Sequence, residues 1–106
     1  MNLNKLMKQA QKMQEQMART QAELEEKTVE VTAGGGKVTV VANGAGDVLS
    51  IKIAREIIDP EDVEILEDLI LSGVQQAIAK GKELAGSEMS KITGGMNLPG
   101  LGGLGV

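Results

Sequence analysis

Lys5, Lys8, Lys12 and Arg19 follow one another at steps of three, four and seven residues, a spacing that places them along one side of an α-helix. Such groups are fixed cations, able to neutralise phosphate oxygens and to release the counterions condensed around a polyanion. Up to residue 20 the only acid is Glu15, whereas Glu23, Glu25 and Glu26 follow, so the positive potential belongs to the far N-terminal part of the helix. It is local, because the whole chain has 15 acidic against 11 basic residues, a net charge of −4. A stripe of four charges is more often a solvated face than a binding surface. Two copies would double the patch and favour a grip on DNA phosphates, to which Lys80, Lys82 and Lys91 of a later helix could add.

Little other chemistry is on offer. With no His and no Cys, the chain lacks the commonest general base, the thiol nucleophile and the usual metal ligands, so no enzyme, metal site or cofactor is expected. The acids Asp59, Glu61, Asp62, Glu64, Glu67 and Asp68 gather at a helix start, where capping and solvation explain them better than catalysis. Gly34-Gly35-Gly36-Lys37-Val38 lacks the Ser or Thr that follows the Lys of a P-loop, and Val31 stands where the first Gly would be. Gly34, Gly35 and Gly36, like Gly44-Ala45-Gly46, read as strand-to-strand turns needing positive φ. No aromatic ring exists to stack on a base. Met7, Met13 and Met17 read as adaptable packing, and a soft-metal role is not expected without His or Cys beside them.

The elements that must position the cations follow from periodicity. Leu3, Leu6, Ala10, Met13, Met17 and Leu24, with Thr20 in the one polar place, form a heptad seam on a helix from about residue 2 to residue 26, with the cations on the far side. That helix is roughly 37 Å long at 1.5 Å per residue, longer than the core of so short a chain, so part of its seam should meet another chain. The period then changes to two. Val29, Val31 and Ala33, then Val38 and Val40, then Leu49, Ile51 and Ile53 mark three strands of an antiparallel meander. Asp59-Pro60 reads as N-cap and first helical position of a second helix, with Val63, Leu66, Ile70, Val74, Ala77, Gly81 and Leu84 as its apolar row. Ile65, Leu69 and Ile78 widen the early part into a broad buried arc, and the later turns project. Residues 1–93 form one α+β domain, and from Gly94 the Gly- and Pro-rich sequence reads as a mobile tail, 94–106. Two long helices on one small sheet leave more apolar seam than one copy covers, which predicts a homodimer. No apolar run has the length of a membrane span.

Three stretches, "LMKQAQKMQEQM" at 6–17, "VEVTAGGGKVTVVANGAGDVLSIKI" at 29–53 and "IDPEDVEILEDLI" at 58–70, together resemble the YbaB/EbfC family of bacterial nucleoid-associated proteins. The resemblance extends over nearly the whole chain, including the tail. It implies a cytoplasmic, nucleoid-located homodimer shaped like tweezers, whose helical arms bind double-stranded DNA, bend or compact it and influence gene expression. On that resemblance the DNA contacts fall to Lys5, Lys8, Lys12 and Arg19, with Lys80 and Lys82 added, while Gly34, Gly35 and Gly36 keep a structural role. Leu3, Leu6, Ala10, Met13, Met17, Ile70 and Val74 are left for core or dimer packing. The rival reading is a protein-interaction module whose Met-rich helices clamp another helix.

Overall fold

The computed structural model of the chain describes residues 2–95. Helix α1, Leu3–Glu26, leads into strands β1, Thr28–Ala33, β2, Val38–Asn43, and β3, Val48–Ile53; a 3-10 turn at Arg55–Ile57 precedes helix α2, Val63–Gly95. The strands form one antiparallel sheet in the order β1-β2-β3, so the fold is α+β, as the periodicities predict. α2 continues past Gly94, where the sequence suggested a tail, and the expectation for 96–106 lies outside the described residues.

The core is centred on β2. Val38, Val40 and Ala42 alternate onto one face and are fully buried with Ala77 of α2, and Val29, Val31, Ala33, Leu69, Ile70 and Val74 pack around them. α2 can approach so closely because its contact row is small: a Cβ built on Gly73 would stand 2.8 Å from Val40 Cγ2, and one on Gly81 would strike the carbonyl oxygen of Asn43. Gly73, Ala77 and Gly81 lie four residues apart on one helix face, so they make a continuous groove for the strand. The β1–β2 turn closes through Gly34, Gly35 and Gly36 at φ of 63°, 67° and 88°, a region that disfavours any side chain with a Cβ.

Three details depart from the sequence expectations. Asp59-Pro60-Glu61-Asp62 is a turn and not the first turn of α2: the Asp59 carbonyl accepts from Asp62 N at 3.0 Å and its carboxylate from Glu61 N at 3.0 Å. Asp followed by Pro suits the first two places of a β-turn as well as a helix start, and here the turn wins. In β3 a register shift pairs Val48, and not Leu49, with Ala42, so Leu49 leaves the alternation it would share with Ile51 and Ile53. Finally, the broad arc expected on the first half of α2 is only partly covered within one chain: Leu69, Ile70 and Val74 pack on the core, Leu66 and Ile78 are half-buried, and Val63 and Ile65 are exposed. α2 covers β1 and β2 and leaves β3 largely bare, because one helix is narrower than three strands.

Candidate nucleic-acid interface

α1 is aimed by its last turn. Gly44, at the start of the β2–β3 turn, donates its N–H to the carbonyls of Leu24, at 2.9 Å, and Lys27, at 3.0 Å. Asn43 beside it is buried with every polar atom engaged: its Oδ1 accepts from Ala45 N and Asp47 N at 3.0 and 2.9 Å, and its Nδ2 donates to the Glu25 carbonyl at 3.2 Å. Leu24, the one buried residue of α1, packs so close to Gly44 that a Cβ there would collide with it. Asn43-Gly44 is therefore the socket in which the base of α1 sits.

From that socket α1 and the second half of α2 run together in opposite directions. Ala85 and Met89 share a cleft of about 320 Å³ with Gln21, Leu24 and the Gly44-Ala45 turn, and Met89 and Ile92 share one of about 160 Å³ with Met13 and Met17. The ammonium of Lys27 meets the Glu88 carboxylate at 3.1 Å and Lys91 adds a second contact at 3.4 Å. The hydrogen bond from Lys27 holds the Glu88 carboxyl below the ordinary glutamate range, against an opposing effect of desolvation. The paired helices form an arm, and the chain is accordingly long: its extents are 71 × 29 × 16 Å and its radius of gyration is 19.8 Å, against roughly 13 Å for a compact domain of about 100 residues.

The outer half of the arm carries Lys5, Lys8 and Lys12, and Arg19 continues the stripe toward its base. Lys5, Lys8, Lys12 and Arg19 are exposed, and among the described residues none of them forms an ion pair. The helix start is capped by Asn2, whose side chain accepts from Asn4 N at 3.1 Å, and its first turn holds no acid, so the positive end of the helix dipole adds to the lysines. Met13 and Thr20 are half-buried on the side facing α2, whereas Leu3 and Leu6 extend beyond its end, 69% and 45% exposed. Ala10 is exposed and Met17 largely so, while Ile70 and Val74 pack against the core. Lys80 and Lys82 are not at the tip. Lys80 lies twelve residues before Ile92, about 18 Å along the helix, and its Nζ donates to the Glu30 carbonyl at the open edge of β1 at 3.3 Å.

Reading the sequence alone missed the partner of α1. Ala85, Met89 and Ile92, spaced by four and three, continue the apolar row of α2 beyond Leu84 and were the signal for an arm of two helices. Among the described residues there is no cluster of three or more His, Cys, Asp or Glu able to hold a metal, and no helix is long and apolar enough to cross a membrane.

A family model described as the YbaB/EbfC DNA-binding family matches residues 1–96. The chain belongs to that family. Proteins named "Nucleoid-associated protein" from Alkaliphilus metalliredigens and Acetivibrio thermocellus are 55% and 57% identical to it, over 94% of this chain and 88% and 89% of theirs. The crystal structure of HP0035 from Helicobacter pylori shares the fold at a TM-score of 0.67 and 20% identity, covering 91% of this chain and 97% of that one. YbaB/EbfC membership places the chain in a family of DNA-binding proteins, not of enzymes.

Proposed function

We propose that the protein binds duplex DNA through the outer face of its helical arm, with Lys5, Lys8, Lys12 and Arg19 on phosphates. The observation that carries this reading is the basic stripe itself: four exposed cations without ionic partners among the described residues, at the acid-free start of a helix, in a chain that is acidic overall. Contacts of this kind neutralise the backbone and read little sequence. Lys82, exposed where α2 lies over the sheet, is where a duplex following the arm inward meets a further cation, whereas Lys80 turns to the opposite side of α2, at the edge of β1.

The active form is a homodimer. Leu69 and Lys80 reach the β1 side of α2, so at 100° per residue Leu71, Val74 and Ile78 turn toward the β3 side, where Val48 and Ile51 are uncovered. Together they make an apolar surface that a second copy would bury, while Leu3, Leu6 and Ala10 at the outer end of the seam are left for contact with the partner arm. Two arms on one duplex constrain its path, which is how the protein would bend or compact DNA in the nucleoid of the cytoplasm and influence gene expression.

A gel-shift titration with Lys5→Glu, Lys12→Glu and Arg19→Glu combined tests the assignment: the triple variant is expected to lose DNA binding while keeping its helix content. Unchanged binding would remove these residues from the interface. The helical-clamp alternative has less support, since Met13 and Met17 already line a cleft with Met89 and Ile92 of α2 in the same chain.

A further inference from the structure

We propose that Met13, Met17 and Met89 form a thioether site for a soft monovalent cation, Cu(I) or Ag(I). This reverses the expectation from sequence, which has no His or Cys beside these methionines and pairs only the first two, one turn apart on α1, where two thioethers make a poor site. The fold adds the third: Met89 of α2 lines the same cleft as Met13 and Met17, so three thioether side chains from two helices border one space. Among the described residues Ile92 is the other one that lines the cleft, so these walls offer no hard oxygen side chain to Mg²⁺ or Ca²⁺ and no imidazole or thiolate to Zn²⁺. Uncharged thioethers suit Cu(I) and its heavier congener Ag(I).

Size and charge agree with that ligand. A volume of about 160 Å³ is several times the roughly 30 Å³ share of one water, room enough for an ion and the sulfurs that turn toward it but not for a helix. A neutral ligand set in an apolar cleft cannot offset the desolvation of a divalent ion as well as that of a monovalent one. Met has three rotatable bonds, so the sulfurs can close on an ion without moving the helix backbones. With no His or Cys anywhere in the chain, no stronger soft ligand competes for the ion. Bound there, the ion ties α1 to α2 on the outer side of the arm, beyond the contact between Lys27 and Glu88. The inference rests on the cleft alone and is independent of the DNA-binding reading.

The test titrates Ag(I), which is redox-stable, into the full-length protein in chloride-free buffer, with native mass spectrometry for stoichiometry and carbon-13 methyl NMR of the methionines for position. One Ag(I) per chain is expected, with the methyl signals of Met13, Met17 and Met89 moving together and that of Met7 unmoved. Met13→Leu, Met17→Leu and Met89→Leu keep the volume and the helices. Each should weaken binding by at least the roughly 10- to 100-fold that disturbing a metal site's supporting shell costs, and Met7→Leu should leave it intact. A competing titration with Cu(I) under reducing conditions is expected to displace Ag(I) from the same three signals. Absence of Ag(I) binding, binding that survives all three Leu substitutions together, or movement of other methionine signals instead would overturn the proposal.

Discussion

Gly73, Gly81 and Gly86 sit in the same helix and separate two effects of one substitution. Ala at Gly86, where a new Cβ meets nothing within 4 Å, removes the helix penalty of glycine and is expected to stabilise the fold by about 0.5–1 kcal/mol. Ala at Gly81 would drive a methyl group into the Asn43 carbonyl, part of the backbone that seats α1, and at Gly73 into the buried Val40. Overpacking of that kind costs about 1–3 kcal/mol and outweighs the gain in helix propensity. Thermal unfolding followed by far-UV circular dichroism checks the opposite signs, and a stabilised Gly81→Ala would mean that α2 does not lie so close to β2. The glycine turn at 34–36 was legible in the sequence, because three glycines between alternating strands leave few other readings. The roles of Gly73 and Gly81 were not, since close approach of a helix to a strand depends on tertiary placement.

At the scale of elements, the helices, the three strands and their antiparallel order were readable from period and turn residues. The start of α2 was misplaced because Asp-Pro serves a turn and a helix start equally well. The pairing of α1 with the end of α2 was hidden for a different reason: a heptad seam reports that a helix has a partner, not which one. That pairing has a pH signature. Glu88 is held below the ordinary glutamate range by Lys27, so its contribution is complete above the ordinary range and is lost as pH falls through the lowered value. The protection factors of α1 amides, the intrinsic exchange rate divided by the measured rate at the same pH, should therefore fall on acidification through that window. In Glu88→Gln they should be lower already at neutral pH and should respond less to acid. Identical pH profiles in the two proteins would show that the contact does not hold the arm.

Seen whole, the molecule is a small sheet with one long arm and more apolar surface than it covers. Ile51 is 42% exposed and Leu71 56% exposed beside a bare half-sheet, so Ile51→Lys or Leu71→Asp is expected to convert a dimer to a monomer in size-exclusion chromatography with light scattering. A wild-type monomer at micromolar concentration would instead remove the dimer. The basic stripe was legible because charge spacing needs only the helix, whereas its distance from Lys80 emerged only once the α1–α2 pairing fixed the direction of the arm.

The proposed DNA interface is a set of phosphate contacts made by the stripe on the arm. Its most direct test is the slope of log binding constant against log salt concentration on two duplexes of unrelated sequence, for wild type and for Lys5→Gln, Lys12→Gln and Arg19→Gln combined. Similar slopes are expected on both duplexes and, in the variant, a slope shallower by about 0.9 for each phosphate that is no longer neutralised. A variant with the wild-type slope and affinity would contradict it.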